Sequence, residues 1–360
     1  MAIVSEKLLD GGPENCTFLG NGTLALSLLL KESGIKNKAV AVPVNVCPNV
    51  IQAISYSENY PHYIDIEPDN LGMSAVELKK EIDAVSAVIA VHAYGVVCDI
   101  KPIAEICKNS GKLLIEDCAQ ALGAHLEKQP VGSFGDVAVF SFGAGKIVDL
   151  KRGGAVISDD ALLISRLDSY NSTFPEFSPE QEIMISDFSS LHTFFYNNFY
   201  PFRENRYSKL LHNASKMAEE GYRFRVPNDL KVGVDQALGL LDENLLKRKN
   251  RAEQFKKIFE GEGIGFHWPK PGSVFWRFNL FISRGRNELL RTLLKEGFKV
   301  SSWYPRIDRF MGMQSHRTDF SMADQIGSSI LNLWVNEEVN DFYVEEIGCR
   351  ILEILRHPSG

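Results

Sequence analysis

The first half of the chain alternates short apolar, β-branched runs with helical patterns, and that alternation limits the fold more than any other feature. Ala39 to Val44 reads as a buried strand, and Pro48 suits the first position of a helix running to Tyr56. Tyr63 to Ile66 reads as a strand. Ser74 to Val85 reads as a helix, with Ser74 as N-cap and Glu77 completing a capping box. Val88 to His92 is a strand, and Asp99 caps the helix after it, to about Asn109. Leu113 to Glu116, Asp136 to Phe142 and Gly154 to Ser158 complete the strands. Such an order implies right-handed crossovers and a mostly parallel sheet covered on both faces, an α/β fold.

The pattern changes near Asp160. Residues 160 to 260 read as mostly helical. Beyond Gly261 the chain is mixed, with strands at Phe275–Ser283 and Lys299–Trp303 and helices at Asn287–Glu296 and Asn340–Leu355. The expected organisation is a large domain over residues 1–245 and a smaller C-terminal α+β domain over 246–360.

The formal net charge of -7 and pI near 5.7 repel a polyanion, so no nucleic-acid partner is expected. The six cysteines lack zinc or redox spacing and read as reduced core thiols, and no HExxH-type pattern points to a metal. The first residues lack a basic start followed by an apolar run, and no stretch approaches the roughly 20 apolar residues of a membrane span. The aromatic segment from Phe194 to Phe202 is too short for one. A cytoplasmic protein with no membrane partner is therefore expected.

In open parallel sheets, ligands bind beyond the carboxyl ends of the strands. Four segments place chemistry there: GNGTLAL with Gly22 and Thr23, HAYG with His92 and Tyr94, IEDCAQ with Asp117 and Gln120, and FSFGAGK with Ser141 and Lys146. A lone lysine is most often a solvated surface charge. Lys146, however, follows an apolar strand end and the small residues Gly143, Ala144 and Gly145, which let a ligand come close to the backbone. GAGK is not a phosphate loop, because Phe140 and Ile147 stand where that motif needs glycine and a hydroxyl. GNGTLAL is not a dinucleotide fingerprint, because Ala25 replaces the third glycine and no clear strand precedes it. Asp117 either caps the next helix or pairs with a cationic ring nitrogen. Gly22 and Thr23 fit an anion site at the helix N-terminus, where Thr23 adds a hydroxyl, and this is compatible with Thr23 capping its helix.

With Thr23, Asp117 and Lys146 in this order, the chain resembles the DegT/StrS family of sugar aminotransferases that use pyridoxal 5′-phosphate (PLP). The stretches carrying the resemblance are NGTLAL, VPVNVCPNVIQAI, IDIEP, VHAYGVVCDI, IEDCAQALGA, VGSFGDVAVFSFGAGK and GGAVISDD, followed by QALGLL, WYP and NLWVNEEV. The resemblance implies a fold-type-I PLP-dependent transferase: a mostly parallel seven-stranded sheet flanked by helices, a smaller C-terminal domain, and a homodimer with a shared active site. It implies Lys146 as the lysine that bonds to the cofactor and shuttles protons, and Asp117 at the pyridine nitrogen. Gln120 would lie beside the ring, and Ser141, Gly22, Thr23 and the backbone of Leu24 would lie at the phosphate. Cys47 stands where the family often stacks an aromatic residue on the ring. The implied reaction moves an amino group from a donor, expected to be L-glutamate, onto a nucleotide-linked keto-deoxysugar. Two other readings stay open. One is a sugar dehydratase of the same family, disfavoured because such enzymes typically replace the lysine with histidine. The other is a PLP-fold protein with a regulatory role. Lys151, Arg152 and Asp229 depart from the family pattern; Lys151 and Arg152 are read either as meeting an anionic substrate or as solvated.

Overall fold

The computed structural model describes residues 15–199, 208–311 and 317–357. The chain enters with β1 (Cys16–Leu19) and α1 (Gly22–Glu32), then alternates β2 (Ala39–Pro43), α2 (Pro48–Tyr56), β3 (Tyr60–Ile64), α3 (Ala75–Glu81), β4 (Ala87–Val91), α4 (Ile100–Ser110) and β5 (Leu113–Asp117). A two-stranded flap, β6 (His125–Leu126) with β7 (Gln129–Pro130), precedes β8 (Val137–Ser141) and β9 (Gly154–Ser158). The central sheet has seven strands in the order β1-β9-β8-β5-β4-β2-β3. The pairs from β3 across to β8 are parallel, and β9 runs antiparallel to both β8 and β1. β2, β4 and β9 are buried at every residue, as strands are when both sheet faces are covered.

Boundaries from the sequence mostly lie within a few residues of those observed. Tyr63–Ile66 is displaced: the strand begins at Tyr60 and ends at Ile64. The sequence did not reveal β1, a short antiparallel edge, nor the flap strands His125–Leu126 and Gln129–Pro130, nor the later strands Gly265–His267 and Ile330–Trp334. Ser74 caps α3 as expected, accepting from Glu77 N at 3.3 Å, but the Glu77 carboxylate turns to Lys80 and Arg317 and does not complete a reciprocal box. Asp99 sits at the N-cap of α4 without a side-chain cap bond. All six cysteines are free, and Cys349 is exposed, unlike the core thiols expected.

After the sheet come α5 (Ala161–Asn171), α6 (Pro179–Phe199), α7 (Ser208–Met217), α8 (Leu230–Gly239) and α9 (Leu241–Phe259). The last residues of the Phe194–Phe202 segment lie outside the described residues. The C-terminal part holds an antiparallel sheet in the order β10-β11-β13-β12, made of β10 (Gly265–His267), β11 (Arg277–Phe281), β12 (Val300–Ser301) and β13 (Ile330–Trp334). It is joined by α10 (Arg286–Lys295), α11 (Asp308–Met311), α12 (Ser321–Ser329) and α13 (Asp341–Arg356). This sheet has its own core, built from α9, α10 and α13 against Phe278, Leu280, Leu331 and Leu333. α9 belongs to both cores: Leu241 packs into the first, Phe255 and Phe259 into the second. Among the described residues no helix is long and apolar enough to cross a membrane.

The two parts are fastened at the turn after β4. Val274 N donates to Gly95 O at 2.9 Å and Trp276 N to Tyr94 O at 3.1 Å. Gly95 has φ +85, and a Cβ there would lie 2.3 Å from Val274 O. Gly95→Ala should therefore destabilise by about 2 kcal/mol or more, read as a lower urea midpoint. Gly111→Ala, at an equally left-handed position with open space, is the comparison and should cost less. Equal losses at the two sites would show that the fastening at Gly95 is not close-packed.

Candidate active site

Parallel pairing brings the carboxyl ends of β4, β5 and β8 to one edge of the sheet, and with them His92, Asp117 and Ser141. Side chains alternate along β5, so Glu116 and Asp117 face opposite sides. Glu116 is fully buried and accepts four hydrogen bonds: Gly132 N at 2.9 Å, Phe134 N at 2.6 Å, Gly135 N at 2.7 Å and His92 Nε2 at 3.1 Å. His92 Nδ1 accepts from Cys98 N at 3.3 Å, which leaves the ring proton at Nε2 for Glu116. His92, Glu116 and Cys118 offer ligand atoms within 4.8 Å of one another, but the imidazole and the carboxylate are already committed to these bonds.

Asp117 differs. It is 7 % exposed, and one of its oxygens accepts from Ala119 N at 3.0 Å while the other has no hydrogen-bond partner among the described residues. Burial pushes its pKa up, and Lys146 within electrostatic reach pulls the other way. Lys146 is half-buried within the loop between β8 and β9, where its N–H donates to Gly143 O and its carbonyl accepts from Arg248. Cys47, the N-cap residue of α2, faces the same space: burial pushes its thiol up, and Lys146, Asp117 and Tyr304 all act on it. Gln120 is held from both sides, its Oε1 accepting from Tyr94 N at 2.7 Å and its Nε2 donating to the Tyr304 hydroxyl at 2.8 Å.

At the start of α1 the structure adds detail that the sequence reading lacked. The N-cap is Asn21, not Thr23, and its Oδ1 accepts from Leu24 N at 2.8 Å, so that amide already has a partner. Thr23 Oγ1 accepts from Asn49 Nδ2 at 3.0 Å, and Asn49 also donates to the Tyr222 hydroxyl at 3.1 Å. Gly22 faces Ser141: a Cβ on it would lie 3.1 Å from Ser141 Cβ and 3.3 Å from Ser141 Oγ. The sequence does not single out Asn49 or Tyr222 for this site, and it offers Tyr304, through WYP, as a sugar-pocket or core aromatic, not as the partner of Gln120. Only the PNV after Cys47 and the WYP motif lay near them in sequence, and neither shows that the side chains meet.

These residues fit PLP. A buried carboxylate oxygen without a partner suits a protonated ring nitrogen. A helix N-terminus flanked by Thr23, Ser141 and a glycine without a side chain suits a phosphate. Lys146 and Cys47 lie within electrostatic reach of Asp117. Of the departures from the family pattern, Lys151 is exposed and pairs with Asp149 at 3.1 Å, Arg152 lies 4.3 Å over the Phe177 ring, and Asp229 begins α8 without capping it.

A sequence model of the DegT/DnrJ/EryC1/StrS aminotransferase family matches residues 11–351. A GDP-perosamine synthase from Vibrio cholerae is 36% identical over 155 residues, which cover 42% of this chain and 42% of that protein. An L-glutamine:2-deoxy-scyllo-inosose aminotransferase from Streptomyces kanamyceticus is 34% identical over 160 residues, 43% of this chain and 36% of that protein. The matched stretch thus spans less than half the length of these relatives. Among solved structures, the aminotransferase TlmJ from Streptoalloteichus hindustanus superposes with a TM-score of 0.78 at 21% identity, covering 99% of this chain and 89% of that one. Helicobacter pylori PseC does so at 0.76 and 16%, covering 98% and 90%. At such identities the likeness is one of fold.

Burial alone would raise the Glu116 pKa, but His92 and the backbone N–H groups of Gly132 and Gly135 outweigh it and hold it below the usual carboxylate range. A depressed folded-state pKa gives stability that is complete above the unfolded value, about 4.3, and lost as pH falls through the folded one. Glu116→Gln should therefore cost about 2–4 kcal/mol near pH 7, with the gap to wild type narrowing below about pH 4. Urea midpoints across that range check it, and a gap independent of pH would contradict the ionised network.

Proposed function

This chain belongs to the DegT/DnrJ/EryC1/StrS aminotransferase family, and on that premise we propose that it uses PLP to move an amino group from L-glutamate onto a nucleotide-linked keto-deoxysugar. The observation that carries the proposal is the meeting of Lys146, Asp117 and Cys47 within mutual electrostatic reach at the carboxyl edge of the sheet. The names of the relatives support the acceptor class: GDP-perosamine synthases and a dTDP-3-amino-3,6-dideoxy-alpha-D-galactopyranose transaminase act on nucleotide-linked sugars by name.

When bound, PLP would supply a carbonyl that accepts an amine and a ring that takes up the electrons left by a broken C–H bond. The protein's part is binding, orientation and proton handling. Asp117 holds a negative charge toward the ring nitrogen, and a cation at its free oxygen offsets the burial that otherwise raises its pKa. Ser141, Thr23 and the N-terminus of α1 bind the phosphate, with Asn49 fixing the Thr23 hydroxyl. Cys47 packs against the ring, and the Gln120–Tyr304 pair borders it. Lys146 Nζ would hold the cofactor covalently, and as a free amine it would take up and return the proton of the substrate carbon. The division at residues 245 and 246, which falls inside α9, the homodimer with a shared site and the cytoplasmic location belong to the same proposal.

The test is the visible absorption of the purified protein with PLP, before and after L-glutamate. Wild type should show the band of protein-bound PLP, and glutamate should bleach it. Lys146→Ala should lack the band, and Asp117→Asn should bind PLP roughly tenfold or more weakly. No band in wild type would sink the reading. A band indifferent to glutamate would remove that donor and favour the regulatory alternative.

A further inference from the structure

Arg277 opens β11 and is 4 % exposed. Phe278 and Leu280 of the same strand enter the C-terminal core, so alternation turns Arg277 and Asn279 the other way, toward the large sheet. Its guanidinium lies between two indoles, with Cζ 4.1 Å from the Trp276 ring centroid and 4.0 Å from that of Trp334. Trp276 Nε1 donates to Gly145 O at 2.7 Å, and a Cβ built on Gly145 would lie 3.6 Å from Arg277 Nη2. Gly145 immediately precedes Lys146. The cation is therefore held against the loop that presents the lysine.

What the guanidinium lacks is a bonded anion: Glu338 acts on it only at electrostatic range and is itself paired with Lys299. Nη1 donates to Trp276 O at 2.9 Å, Nε is buried without a partner, and Nη2 makes no hydrogen bond among the described residues. The other deeply buried arginines are satisfied differently. Arg306 bonds both oxygens of Asp308 and also Asp324, Arg248 bonds Asn244 and two carbonyls, and Arg286 bonds the carbonyls of Gly327 and Ser328. Burial, with Arg248 nearby, brings the Arg277 pKa down to about 9, which still leaves it cationic at neutral pH. A buried cation without a counter-anion is costly, and cation–π contacts of about 0.5–2 kcal/mol leave its N–H groups unbonded. The planar fork, clamped so that it cannot turn away, is pre-organised for an oxyanion with two oxygens.

We infer that Arg277 is the carboxylate-binding group for the amino donor, receiving the α-carboxylate of an α-amino acid beside Lys146. The inference rests on the proposed aminotransferase reading. Its chemistry is that an α-carboxylate is bonded directly to the carbon whose proton Lys146 must take. A cation packed against Gly145, the residue before the lysine, can fix that carbon in place, and every α-amino acid donor carries the group whatever its side chain. A phosphate of the nucleotide-linked sugar is the other oxyanion that could reach such a fork.

The two sources are separated by calorimetric titration of the full chain, PLP-loaded and PLP-free, with glutarate and with GDP. Glutarate is the glutamate skeleton without its amine, so it binds without reacting. Arg277→Gln should weaken glutarate binding at least tenfold and leave PLP uptake and GDP binding unchanged, and in the glutamate half-reaction the apparent KM should rise. Arg277→Lys, which keeps the charge but loses the fork, should fall between and serves if the glutamine variant does not melt cooperatively. Unchanged glutarate affinity in both variants would overturn the inference. So would loss of GDP binding alone, which would give the fork to the nucleotide phosphates. A wild type that binds glutarate through Arg277 but never takes up PLP would instead overturn the aminotransferase reading.

Discussion

Glu116 carries a carboxylate into the middle of the sheet, where an ionised group survives only if its oxygens are bonded. Four donors bond it, and three belong to the backbone of the turn Gly132–Gly135 that leads into β8. The fourth is His92, at the end of β4. One buried charge thus ties the ends of β4 and β5 to the entry of β8. The register Asp117↔Val139 follows from that tie, and with it the position of Ser141 and the Lys146 loop relative to Asp117. Removing the charge would loosen three strand ends together.

The two carboxylates of the Glu116–Asp117 pair show how one strand serves structure and chemistry at once. Alternation sends them to opposite faces. Glu116 is saturated with hydrogen bonds and so is inert. Asp117 is left with an unbonded oxygen beside Lys146 and so is available to a cationic ligand. The same contrast separates the buried arginines: Arg306 is neutralised by aspartates, whereas Arg277 is clamped by tryptophans and bonds no anion. In both cases the unsatisfied group lies at the edge where β4, β5, β8 and β11 converge. Unsatisfied polarity is expensive, and at this edge it falls on two charged groups, a carboxylate and a guanidinium.

The C-terminal part contributes more than a cover. Trp276, Tyr304 and Arg277 reach the site from it, and the bonds from Val274 and Trp276 to the turn at Tyr94 and Gly95 hold it in register with the large sheet. The close approach at Gly95 leaves no room for a side chain, so the joint is rigid at the point where both parts meet the ligand space.

The sequence by itself determined the alternation of strands and helices, because a strand buried on both faces must be apolar throughout and a helix start must carry its own caps. It also placed Asp117, Ser141 and Lys146 at strand ends, since polar residues closing apolar runs are visible in one dimension. It missed β1, a short edge strand whose pairing with β9 is non-local. It assigned the α1 cap to Thr23, when Asn21 reaches Leu24 N first. It could not find Asn49, Tyr222 or Arg277, nor show that Tyr304 meets Gln120, because these roles rest on partners far away in the chain. Whether a polar side chain is satisfied depends on what the folded chain brings against it, and that only the tertiary structure decided.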